Sequence, residues 1–547
     1  MLNRRQFHSF LFASLALALA RPNSLFASPA NTQASLWLNR LTFGANAASL
    51  EEFSRMGPAA WLDRQLSFPA HEPQIMARLA SAMLRIVYEA GVDENGGQWT
   101  ATDEMRPLDT LYADPAAQLH RIDWEQPMEY SERSRPAAEV IAAALTRAVH
   151  APAQLREVMT QFWHDHFNVN SQKDEFTAAF FPTYDAMIRE HAFGNFRVLL
   201  GEMARSPAML YYLNNADSRA SPANENFGRE LLELHTLGAE NYLNDRYSDW
   251  HSVPKDQNGV AQGYLDLDVY EVARAFTGWS VGDGRYVDEG NSAPKTGTFH
   301  YIEAWHDPYQ KRVLGIEFEP NRAPMADGEQ VLDILAAHPG TARFVCRKIA
   351  RRLLTDQPDD ALVETLASVF LQAKDAPDQI SQVIRALVNH PSFDATPAGK
   401  LRRPFEFLAA IYRASGAEMI GRENNENYQL MRAGWRQHSY GAPTGHPDVL
   451  EKWTGASSLN RLIDYAVFAH EEWFSVAKVD FSANPGETTQ DFADRYAQRL
   501  GGPIDGLLAA MGVDPAAPAQ GLSPDEQKAV ASSAIAFAAL SPAFLLR

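Results

Sequence analysis

The segment that most restricts how this 547-residue chain can fold is 222–238, Pro-Ala-Asn-Glu-Asn-Phe-Gly-Arg-Glu-Leu-Leu-Glu-Leu-His-Thr-Leu-Gly. It reads as one helix over 224–237, stopped by Gly238, with Leu231, Leu232, Leu234 and Leu237 available to bury it. Three carboxylates, an arginine, two amides and a histidine are spread over several of its faces, so some of them must point inward. A buried ionisable group costs several kcal/mol unless it is paired or bound to a metal. The segment therefore belongs to an ion-pair network or lines a site. Asn226, Glu230 and Glu233 share one face at i, i+4, i+7 spacing, Glu225 and Arg229 pair on another, and His235 falls on a third. Glu230 and Glu233 place two carboxylates on successive turns, as helical metal sites do, although the Glu-x-x-His signature of di-iron bundles is absent.

The rest of the chain is dominated by helical spacing. Helices are expected over 34–43, 48–66, 137–151, 153–168, 181–192, 266–277, 341–354, 380–389, 404–414, 459–474 and 524–539, among others. Two runs, 296–302 and 311–318, alternate in strand fashion around Trp305-His306-Asp307-Pro308, which predicts a β-hairpin with His306 and Asp307 at its tip. The stretch 96–136 reads as a long loop. The fold class is mainly α: a large multi-helix globular body with one small β-hairpin. A single body is expected over 28–547, with a sub-boundary near 320–330.

Composition excludes several functions. The formal net charge of −19 repels phosphate backbones and argues against nucleic-acid binding. The single cysteine, Cys346, rules out an internal disulfide and any cysteine-clustered metal site, and its apolar surroundings predict a buried, inert thiol. No phosphate-binding glycine loop or Gly-x-Ser-x-Gly element occurs. Residues 1–27 read as an export signal: Arg4 and Arg5 precede an apolar run over 10–20 and resemble a twin-arginine leader. No other run approaches membrane length, so no transmembrane anchor is expected after that leader.

Met159-Thr-Gln-Phe-Trp-His-Asp-His-Phe-Asn168 holds the other candidate ligands. As a helix it turns His166 toward the core with Phe162 and Trp163, while His164 lies about 200° away, so in a helix the two cannot chelate one ion, whereas in an extended turn they could. The reading that gives these groups chemistry makes His164, His166, Glu230, Glu233 and His235 ligands of a divalent metal ion. Glu225, Arg229, Glu230, His306 and Asp307 are then the catalytic candidates. The competing reading makes the same side chains a satisfied ion-pair lattice, with Glu225 and Arg229 a structural pair.

Together these segments resemble domain-of-unknown-function family 1800. The resemblance is carried by Leu38-Asn-Arg-Leu-Thr-Phe-Gly44, Phe162-Trp-His-Asp-His-Phe167, Tyr184-Asp-Ala-Met-Ile-Arg189, the 224–238 segment, Asp268-Val-Tyr-Glu-Val-Ala-Arg-Ala-Phe-Thr-Gly-Trp279, Tyr440-Gly-Ala-Pro-Thr444 and Leu540-Ser-Pro-Ala-Phe-Leu-Leu546. Asp165 stands where the family often has asparagine. The resemblance implies an exported protein without a settled activity, often encoded beside a second exported family, number 1501, that is similar to alkaline-phosphatase-like enzymes. Two functions follow as expectations. One is a metal-dependent enzyme, hydrolase or oxidoreductase, acting on an extracytoplasmic substrate such as a glycan. The other is a non-enzymatic binding or assembly factor that partners the family 1501 protein.

Overall fold

The computed structural model of the chain describes residues 33–419, 430–455, 457–458, 460–463, 466, 477–501, 504 and 506–547. The expected export segment and most of the helix expected over 459–474 lie outside them. The described part is mainly helical, with six small two-stranded sheets. One contiguous cluster of buried apolar side chains runs from Trp37 to Leu545.

Local sequence explains where the helices begin and which face they bury. In Gln379–Asn389, Ile380, Val383, Ile384, Leu387 and Val388 form one buried stripe. Pro524–Ala539 starts at a Ser523–Glu526 capping box. The expected 48–66 helix is two helices, Ala47–Met56 and Pro58–Ser67, because Gly57 takes φ 76° and Pro58 opens the second. Glu175–Glu190 begins six residues ahead of expectation, at an Asp174 cap whose carboxylate accepts from the Thr177 amide.

At the centre lies Gln154–His166, in which every residue except Asp165 is buried. Arg135–His150 and Glu175–Glu190 pack on it, and Pro404–Ser415 packs on Arg135–His150. A helix enclosed on all sides must settle its polar groups internally. The Phe162-Trp-His-Asp-His-Phe167 run forms its C-terminal end.

The β elements differ from expectation in pairing. Lys295–Tyr301 pairs antiparallel with Trp279–Asp283, not with the 311–318 run. Lys311–Val313 pairs instead with Ile316–Phe318, across a two-residue turn in which Leu314 and Gly315 both have positive φ, 47° and 81°. That turn closes its own hairpin locally, so His306 and Asp307 sit between sheets rather than at a tip. The expected 96–136 loop contains the strand Thr102–Pro107, paired with Met83–Tyr88, and a short 3-10 helix, Pro115–Arg121. Among the described residues no helix is long and apolar enough to cross a membrane.

Candidate functional site

His164, Asp165 and His166 leave the central helix in three directions. His164 Nε2 lies 3.1 Å from Asp185 Oδ1, with the His438 ring centre 4.2 Å from its own. Among the described residues these three are the one set of His, Cys, Asp or Glu donors lying within 4.8 Å of one another. Asp185 also accepts from Arg147 at 3.1 Å and Arg189 at 3.2 Å, and these guanidiniums hold its carboxyl well below the usual range. Glu157 offsets Arg189, with both oxygens 2.6 Å from its Nη1. Two cations and two carboxylates already balance here, so a dication held by neutral imidazoles would add net charge in a dry spot. This trio reads as a hydrogen-bonded core cluster.

Asp165 pairs with Arg403 at 2.9 Å and with His446 Nδ1 at 3.1 Å, and both keep it ionised. The loop carrying His446 presses on the helix end so closely that a Cβ on Gly445 would sit 2.0 Å from the Asp165 carbonyl oxygen. His166 turns to the opposite side, where its Nε2 donates to the His235 carbonyl at 3.0 Å. That bond fixes the tautomer and leaves a lone pair on Nδ1, which has no partner.

The 224–237 segment is not one regular helix. An α-helix over Glu225–Glu230 passes into a π-helical stretch, Leu231–Thr236. The amides of Leu237 and Gly238 both reach back to the Leu232 carbonyl, at 2.9 and 3.2 Å, and Thr236 Oγ1 caps the Leu231 carbonyl at 2.6 Å. Gly238 then leaves at φ 84°. A π turn is wider than an α turn, so the phase counted at 3.6 residues fails beyond Glu230. His235 is turned fully inward, with neither ring nitrogen partnered. Its ring centre lies 6.4 Å from that of His166.

Glu230 and Glu233 stay half-buried at this junction. Among the described residues Glu230 has no hydrogen-bond or ion-pair partner. Burial, then the Glu233 charge, raises it to about 7, with Arg229 opposing. Tyr212, beside Glu230 and Asn168, is raised to about 12 mainly by burial. Glu139 and Asp268 are also raised, but each is tied by hydrogen bonds: Glu139 to Thr110 and Arg135, and Asp268 to the Leu265 and Leu314 amides.

On the other side of the π stretch stands Lys348 of the Pro339–Leu353 helix. It is half-buried, it has no ion-pair partner among the described residues, and burial pushes its ammonium down to about 8. Burial first, then the Lys348 charge, lowers both His166 and His235, the latter to about 3. Glu230, His235 and Lys348 thus lie along one short, irregular stretch, although His438 and Arg402 elsewhere in the core also keep a nitrogen without a partner.

The profile of the family described as "Protein of unknown function (DUF1800)" matches residues 36–546. The chain belongs to this family. Comparison with curated proteins and with solved structures produced no match. In this DUF1800 chain the Phe162–Phe167 and 224–238 motifs meet through the His166–His235 hydrogen bond.

The remaining expected residues fall elsewhere. Glu225 and Arg229 lie toward solvent, where Arg229 bridges Glu225 at 3.7 Å and Asp266 at 3.3 Å. His306 and Asp307 belong to a separate lattice. His306 contacts the Thr277 carbonyl and Asp327, Asp307 binds Arg274 at 2.7 Å, and buried Lys311 joins Asp327 at 2.7 Å. The expected metal set of His164, His166, Glu230, Glu233 and His235 does not gather: His164 turns to Asp185, and the other four form no group of three donors within 4.8 Å. Asp185, Lys348, His438 and His446 were missed as site neighbours. Asp185 lies in the Tyr184–Arg189 motif, but no spacing in the sequence ties the loop holding His438 and His446 to the 154–166 helix.

Proposed function

We propose that this chain is an extracytoplasmic hydrolase working by acid–base catalysis, with Glu230 as the proton-carrying group and Glu233 as its companion carboxylate. The observation that carries the reading is Glu230 itself: half-buried, unpartnered among the described residues and raised to about 7 beside a second carboxylate. A general acid–base is most effective when its pKa lies near the working pH. A carboxyl kept protonated near neutrality is what the general acid in acetal cleavage requires, which supports a glycan substrate. Arg4, Arg5 and the apolar run after them support export by the twin-arginine route.

A screen of the purified chain against a panel of polysaccharides tests the assignment. Glu230→Gln should lower kcat by about 10²–10⁴-fold, with loss of a pH limb near 7. Unchanged turnover and pH profile in that variant would refute it.

A second reading rests on the Met83–Tyr88 and Thr102–Pro107 hairpin. Its outer face exposes Met83, Val87 and Met105 to solvent, while Leu84 and Ile86 face inward. Such a face supports docking of a partner, and the family 1501 protein is the one proposed. Co-expression of the two and gel filtration decide it: a joint peak lost in Val87→Asp supports a complex, and separate peaks argue against one.

A further inference from the structure

Two chains of contacts lead from the Glu230–Glu233 pair to the same aromatic ring, Tyr242. Arg229, the residue before Glu230, meets Asp266 Oδ1 at 3.3 Å, and the Tyr242 hydroxyl donates to that same oxygen at 2.9 Å. On the other side Tyr264 packs against Tyr242, with ring centres 5.3 Å apart and planes tilted by 39°. Their backbones are tied as well: the Leu243 amide donates to the Tyr264 carbonyl at 2.8 Å, and the Tyr264 amide to the Asn241 carbonyl at 2.9 Å. Tyr264 is 1% exposed and its hydroxyl has no hydrogen-bond partner. Burial and then the Glu233 charge raise that phenol, which puts Glu233 beside the buried ring.

Tyr242 itself is 39% exposed, and among the described residues no second ring stacks on it. A tyrosine held by its hydroxyl at one end and by a buried ring behind it is fixed in place. Covering its open face therefore costs little side-chain entropy. An aromatic face is the negative part of the ring quadrupole and attracts weakly positive C–H groups. A pyranose whose hydroxyls are equatorial presents a flat face of such C–H groups.

The charges on this side of the π stretch narrow the choice of sugar. Glu225, Glu230, Glu233 and Asp266 stand against Arg229, which is already shared between Glu225 at 3.7 Å and Asp266 at 3.3 Å. Such surroundings repel a uronate or a sulfated sugar.

We infer that the open face of Tyr242 receives the sugar next to the bond that Glu230 protonates, and that the substrate is an uncharged glycan of equatorially linked hexoses. This rests on the proposed hydrolase, so binding and turnover are measured apart. Calorimetric titration of the Glu230→Gln chain, which keeps the ligand intact, uses cellohexaose, chitohexaose and the acidic hexamannuronate, each up to about 10 mM. Saturable binding of cellohexaose or chitohexaose, and none of hexamannuronate, is expected. In the same background Tyr242→Ala should weaken that binding about tenfold, whereas Tyr242→Phe, which keeps the ring, should change it by less than about threefold. No binding of any of the three, a preference for hexamannuronate, or equal affinity with and without Tyr242→Ala would overturn the inference. Hydrolysis that is lost in Glu230→Gln, together with binding indifferent to Tyr242→Ala, sinks the inference and keeps the hydrolase. Tyr242-dependent binding without hydrolysis by the native chain keeps the sugar site and refutes the hydrolase.

Discussion

Glu230 carries a stability consequence that follows from its charge alone. Its folded pKa of about 7 lies above that of an unfolded glutamate, about 4.3, so the native state loses stability progressively as pH rises between those two values and the penalty is complete above 7. Glu230→Gln removes that penalty. Because the group is half-exposed, solvent screening reduces the gain to about 1–2 kcal/mol at pH 8, shrinking toward zero at pH 5. Denaturant midpoints of the two proteins at both pH values measure it, and a variant less stable at pH 8 would contradict the assignment. On the proposed function that cost is the usual trade-off of stability against activity. At this scale sequence pattern singled out Glu230, His166 and His235 but not the groups that surround them. The 3.6-residue period separates His164 from His166, as the structure confirms, yet their neighbours Asp185, His438 and Lys348 come from segments that no local spacing connects to them. For the same reason a lone Glu230 and a paired one look alike in sequence.

Between residues and fold, the Glu225–Thr236 element is held by close backbone approach. A Cβ on Gly228 would lie 2.9 Å from the Val269 carbonyl oxygen and 3.0 Å from the Ala273 amide, both on the adjacent Asp266–Ala275 helix. Gly228→Ala must therefore push two backbones apart, at a cost of about 1–3 kcal/mol. It should also alter the pH limb assigned to Glu230, since Glu230 follows two residues later. Urea unfolding and the pH–rate profile read the two effects, and a variant of wild-type stability would show that the helices have room to yield. Most helices were legible, because caps such as Ser523 act locally, but Pro73–Ala80, Pro207–Tyr212 and the break at Gly57 were not anticipated. Two further features were not legible. The π stretch depends on how Leu231, Leu232 and Leu237 pack, and the partner of Lys295–Tyr301 is decided by a turn at Leu314-Gly315 that removes the nearer candidate. The Met83–Tyr88 strand was not anticipated either, although its burial alternates, because its partner Thr102–Pro107 lies in a stretch read as loop.

Across the whole molecule, a buried charge lattice ties distant parts of the chain together. Glu406 accepts from Arg352, from Arg403 at 2.7 Å and from Arg547 at 3.2 Å, and Arg547 also donates to the Arg40 and Arg352 carbonyls. These guanidiniums hold Glu406 well below the usual carboxylate range. Glu406→Gln removes the counter-charge shared by Arg352, Arg403 and Arg547, leaving Arg403 with Asp165, and should cost about 3–5 kcal/mol, measured by chemical denaturation. A loss under 1 kcal/mol would mean that the lattice relaxes through water. The mainly α class and the family were legible at this scale because they rest on many ordered segments. The separation of the three charge clusters was not, since each is assembled from remote positions. The central claim is a glutamate that titrates near neutrality, and the direct measurement is carbon-13 NMR titration of glutamate-labelled protein, with Glu230→Gln as the assignment control. One carboxyl should titrate near pH 7 and vanish in the variant. A set of glutamates all titrating below about pH 5.5, near their ordinary values, would contradict the account.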